Sequence, residues 1–64
     1  MTRKDYVIMA MNLRFAVEQS EGVEQMGVAF AIRALADALR FDNERFDRKR
    51  FYLACGLNES GRLS

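Results

Sequence analysis

Apolar residues recur along this chain at intervals of three and four, the period of an α-helix, in two long stretches and one short one. With no proline present, breaks are read from glycine, serine and asparagine, and they fall at Ser20-Glu21-Gly22 and Asp42-Asn43-Glu44. The first stretch predicts a helix over residues 3–19. Thr2 stands as its N-cap, and Asp5 completes an approximate capping box that also suits the positive helix end. At about 100° per residue, Tyr6, Met9, Ala10, Leu13, Ala16 and Val17 share one face. Ile8, Met11 and Phe15 make a narrower stripe nearly opposite. Two apolar stripes on one rod imply two packing partners.

The second predicted helix, residues 22–41, is apolar around most of its circumference, as a central element is. Val23, Met26, Gly27, Phe30, Ala34, Ala38 and Phe41 form one face, and Val28, Ile32, Leu35 and Leu39 form another. Gln25, Arg33, Asp37 and Arg40 make a polar strip, with Arg33 and Asp37 spaced to pair. Gly27, Ala31, Ala34 and Ala38 repeat at spacings of 4, 3 and 4, tracing a groove that another backbone can approach closely. Its occupant is either the first helix of the same chain or a helix from a second copy.

The third stretch predicts a short helix over residues 48–55, with Asp47 as N-cap and Gly56 as a left-handed stop. Phe46 and Phe51 stand at the positions of a hydrophobic staple, and Leu57 can fold back on the last turn. Residues 1–57 then make one helical domain, and residues 58–64 read as a polar, flexible tail. The expected architecture is all-α: an antiparallel two-helix hairpin with a short third helix docked across it, paired into a dimeric bundle.

Size adds a reason to expect pairing. Surface scaling for a 7.4 kDa chain hides about 6,500 Å² on folding, worth on the order of 98 kcal/mol if ~60% is apolar. Ordering 64 residues costs about 96 kcal/mol. A lone copy is marginal, and a single cysteine offers no disulfide within it. The second stripe (Ile8, Met11, Phe15, Val28, Ile32, Leu35 and Leu39) is therefore a candidate interface with another copy. A net charge of +1 gives no global field toward DNA or an anionic membrane. No apolar run reaches the ~18 residues of a membrane span, and no small-residue cleavage site follows the basic start. Cytoplasmic residence is the expectation.

Candidate chemistry is sparse. There is no histidine, the usual general base near neutral pH and a leading zinc ligand, so neither catalysis, a metal nor a cofactor is expected. Asp42, Glu44 and Asp47 lack the glycine and terminal glutamate of a calcium loop and read as turn and cap residues. Cys55 reads as a small buried hydrophobe, and the methionines as core filler. The densest charge is Arg45, Arg48, Lys49 and Arg50, interleaved with Phe46, Phe51 and Tyr52. Cations beside aromatics are what single-stranded nucleic acid uses, which makes a small nucleic-acid-binding regulator the alternative function. Asp42, Glu44 and Asp47 cancel much of that charge.

Two segments carry a family resemblance. Met1-Thr2-Arg3-Lys4-Asp5-Tyr6 and the run from Asp42 through Arg45-Phe46-Asp47-Arg48-Lys49-Arg50-Phe51 to Ala54-Cys55-Gly56 resemble small uncharacterised bacteriophage and prophage proteins. Those open on an Arg-Lys-Asp-Tyr helix and close on a Phe-Asp-Arg-x-Arg-Phe…Ala-Cys-Gly element. The likeness covers about a third of the chain, and between its ends only the apolar helical pattern is shared. Glu44 stands where relatives often carry proline, which implies a looser turn here. The resemblance implies expression in a bacterial host and brings no activity with it. The function expected is a small accessory protein that binds itself and a host or phage protein.

Overall fold

A computed structural model describes all 64 residues as three helices without strands: α1 (Arg3–Gln19), α2 (Gly22–Asp42) and α3 (Arg48–Ala54). α1 starts at the predicted capping box. The Thr2 hydroxyl accepts from the Asp5 N–H at 3.4 Å, while the Asp5 carboxylate accepts from the Thr2 N–H at 2.9 Å. That N–H, and then the Thr2 hydroxyl, hold the Asp5 carboxyl below the usual carboxylate range.

Only Ser20 and Glu21 separate α1 from α2, and side chains brace the break. The Ser20 hydroxyl donates to the Ala16 carbonyl at 2.7 Å, and the Gln25 amide reaches back to the Val17 carbonyl at 2.7 Å. Gly22 enters α2 at φ +61°, a conformation that a side chain would strain. At about 1.5 Å per residue the two long helices would measure roughly 57 Å end to end. The longest dimension of the molecule is 32 Å, so the chain turns between them rather than running on as one rod. Each helix packs against both others.

α3 follows a tight turn. The Phe46 N–H donates to the Asn43 carbonyl at 2.9 Å, and the Asn43 side chain accepts from the Arg45 N–H at 3.1 Å. Asn43 thus closes this turn with both its backbone and its side-chain carbonyl. Asp47 caps α3 through the Arg50 N–H at 3.1 Å, and the Phe46 and Phe51 rings meet at 5.3 Å between centroids, as the staple predicts. Gly56 at φ +83° reverses the chain, so that Leu57 is buried and its N–H reaches the Tyr52 carbonyl.

The core joins Ala10 and Val17 of α1, Ala29, Ile32 and Ala36 of α2, and Phe46, Phe51, Tyr52, Cys55 and Leu57. Tyr6, Met9, Leu13, Val28, Leu35 and Leu39 pack against it. No buried side-chain nitrogen or oxygen lacks a hydrogen-bond partner. Cys55 is fully buried, and that desolvation pushes its thiol up to about 11.

Five expectations change. Val28, Ile32, Leu35 and Leu39 belong to the inner side of α2, because α1 and α3 both lie there; they are not an interface stripe. Helix α1 does not occupy the small-residue groove, since Gly27, Ala31, Ala34 and Ala38 are all exposed and nothing lies within 4 Å of a Cβ at Gly27. The close approach falls instead at Ala29 and Ala36, seven residues apart on either side of Ile32. Three of the methionines, Met1, Met11 and Met26, are exposed rather than core filler. Asp37 takes Arg48 at 2.7 Å rather than Arg33, whose guanidinium donates to the Gly61 carbonyl at 2.8 Å. That contact places residues 58–64 against the fold: Asn58 and Arg62 close a small turn, Gly61 is buried beneath Tyr52, and Leu63 packs on the core.

Candidate functional site

Two surfaces stand out from the solvated exterior. The first is the outer side of α2. Val23, Met26, Phe30 and Phe41 recur on one face of the helix and remain more than three-fifths exposed. Gly27, Ala34 and Ala38 lie between them, and the apolar strip is interrupted toward the end of α2 by Asp37, exposed and paired with Arg48. A shallow groove lined by Ile8, Met9, Asn12, Leu13 and Leu35 marks where α1 and α2 meet beside it. Ile8, Met11 and Phe15 of α1 are exposed too, as the sequence pattern predicts for a stripe facing away from the core. α3 covers one side of the two long helices, and nothing covers this side. Residues from both groupings made on the sequence contribute, Ile8, Met11 and Phe15 from one, Gly27, Ala34 and Ala38 from the other.

The polar interruptions of this face are few. Arg33 lies 5.8 Å over the Phe30 ring, a cation–π contact that keeps one edge of the strip wet. Asn12 spends its amide on the Ile8 carbonyl at 2.8 Å.

The second surface is a cleft of about 310 Å³ between the start of α1 and the start of α3. Its floor is Tyr6, Val7, Ala10, Phe46, Phe51 and Ala54, and its polar lining is Arg3, Asn43, Arg45, Asp47 and Arg50. The Tyr6 and Phe46 rings meet at 5.0 Å and the Phe46 and Phe51 rings at 5.3 Å, both tilted, so the floor is a rigid aromatic corner. Sequence reading groups Arg45 and Arg50 with Arg48 and Lys49 and passes over Arg3, because no local pattern links residue 3 to residue 45. The structure divides the basic cluster: Arg45 and Arg50 line the cleft, Arg48 is tied to Asp37, and Lys49 points elsewhere.

No three His, Cys, Asp or Glu side chains gather closely enough to hold a metal ion. No helix is long and apolar enough to cross a membrane. Compared against protein-family models, curated proteins and solved structures, the chain matches none.

Proposed function

We propose that this chain is a small accessory protein that works by protein–protein binding, pairing with a second copy through the exposed face of α1 and α2. The observation that carries the reading is the uncovered strip of Val23, Met26, Phe30 and Phe41 beside Ile8, Met11 and Phe15. The chain exposes 4833 Å², against about 4,200 Å² expected by scaling for a monomer of 7.4 kDa. The surplus, roughly 600 Å², approaches the ~800 Å² that each partner contributes to a stable interface. Two antiparallel hairpins set face to face would form a four-helix layer, with Gly27, Ala31, Ala34 and Ala38 letting the facing helices approach. The phage-like ends suggest the setting, a bacterial cytoplasm in which a host or phage protein is the further partner.

Light scattering across a concentration series tests the self-association. Mass should rise from one copy to two, and Phe30→Glu or Ala34→Glu should return it to one copy with helicity intact, because both side chains are exposed in a single copy. A single-copy mass at every concentration sinks the proposal. The basic-cluster alternative gains less from the geometry. Asp37 neutralises Arg48, and Phe46, Phe51 and Tyr52 are buried, so none of the three rings interleaved with the cluster is open for a base to stack on.

A further inference from the structure

We propose that the cleft between α1 and α3 is a second, separate recognition site, and that it takes an acidic peptide segment of a partner protein bearing one bulky apolar side chain. The inference rests on the partner-binding half of the reading above and not on self-association, since the cleft and the α1/α2 face share no residue among those argued for each.

Charge argues the first part. The ion pairs of the structure are Arg14 with Glu18 and Arg48 with Asp37, so Arg3, Arg45 and Arg50 have no carboxylate partner. All three line the cleft. The other polar groups there are already engaged: the Asn43 side-chain oxygen accepts from the Arg45 N–H, and the Asp47 carboxylate caps α3 through the Arg50 N–H. One carboxylate thus faces three guanidiniums, and an anion entering the cleft would find unspent donors. Guanidinium forks match carboxylates in pairs of parallel hydrogen bonds, which favours carboxylate side chains as the complementary groups.

Shape and floor argue the rest. A volume of about 310 Å³ stands at the lower end of ligand sites, enough for one large side chain and its adjoining backbone. The floor is apolar, and two of its three rings, Phe46 and Phe51, are packed on each other and less than a tenth exposed, while Tyr6 is partly buried. A nucleobase needs an uncovered ring face, whereas an aliphatic or aromatic side chain needs only apolar walls.

Fluorescence anisotropy decides the matter with a short dye-labelled peptide of aspartates around a single phenylalanine. The peptide should bind the full chain, weaken as salt rises, and lose about tenfold or more in affinity to Arg45→Gln/Arg50→Gln. That variant should keep its helical circular dichroism, since neither guanidinium makes a hydrogen bond within the chain. Replacing the peptide's phenylalanine by alanine should cost a comparable factor. Binding that survives when every aspartate is replaced by asparagine, or that ignores the phenylalanine, overturns the proposal, as does absence of binding at low salt. Tighter binding of an oligothymidylate strand, abolished by the same double variant, also overturns it and assigns the arginines to nucleic acid. Phe30→Glu should leave peptide affinity unchanged, so failure here and failure of the paired-copy reading are separately visible.

Discussion

Gly61→Ala tests whether the last seven residues belong to the fold. Gly61 holds φ +75°, a left-handed conformation that costs a residue with a Cβ about 1–2 kcal/mol. The added methyl would lie 2.8 Å from Tyr52 Cζ, 2.9 Å from Tyr52 Cε1 and 2.9 Å from Arg33 Cγ. Arg33 can shift, but the Tyr52 ring is buried in the core and cannot retreat without moving its neighbours. Overpacking of this kind costs a further ~1–3 kcal/mol. The chain has a cheaper way out, which is to release the tail. That forfeits the bond from the Arg33 guanidinium to the Gly61 carbonyl, worth about 1.5–3 kcal/mol, and the partial burial of Leu63. Release therefore sets the ceiling, and the expected loss is about 2–4 kcal/mol. For a domain this small, that lowers the melting temperature by very roughly 10–25 °C.

Urea unfolding followed by far-ultraviolet circular dichroism, at one fixed protein concentration, measures the loss. A chain ending after Leu57 supplies the ceiling, because Gly61→Ala cannot cost more than complete loss of the contacts it disturbs. Refutation is direct: if Gly61→Ala and the shortened chain both melt with the wild type, the tail contributes nothing and its packing is inconsequential. A shortened chain much weaker than wild type beside an unaffected Gly61→Ala would instead show that the tail matters but that its glycine does not.

Three further predictions concern the core, the cap of α3 and the buried thiol. Ile32→Ala, at a site with no exposure, should destabilise by about 2–5 kcal/mol, and a smaller loss in thermal unfolding would show that α2 is not seated as described. Asp47→Ala removes the cap on α3 and should cost about 0.5–2 kcal/mol, read by urea unfolding, with Asp47→Asn or Asp47→Ser recovering most of it. Burial raises the Cys55 thiol from 9.0 to about 11, so between those values the folded chain holds a proton that the unfolded chain has released. Stability from this group is full below pH ~9 and falls by up to about 1.4 kcal/mol per pH unit up to pH ~11. Subtracting the pH profile of Cys55→Ala isolates that slope, and parallel profiles would contradict it.

How much was legible in advance depends on the range of the interaction. The bounds of α1 and α2, the capping box at Thr2 and Asp5, the Asp47 cap, the Phe46–Phe51 staple and the Gly56 stop are all made by residues within a few positions of each other. Sequence spacing alone specifies such contacts, because the helix brings the third and fourth neighbours together wherever it forms. The periodicity of α2 likewise showed an excess of apolar faces. It could not say which face turns inward, because both satisfy the helical period and differ only in what lies opposite. The answer came from α3: its docking against both long helices makes the side bearing Ile32 the interior and leaves Phe30 and Phe41 bare.

The same division holds for the candidate sites. Local sequence carried the helices, their ends and the presence of a surplus stripe on each rod. Only the folded chain brought Arg3 across to Arg45 and Arg50, gave Asp37 to Arg48, and laid Gly61 under Tyr52. Those contacts join residues far apart along the chain, and their geometry is set by how three rigid helices close around one small core. Local backbone preferences settle the rods; excluded volume and burial, acting between the rods, settle which of their surfaces remain for a partner.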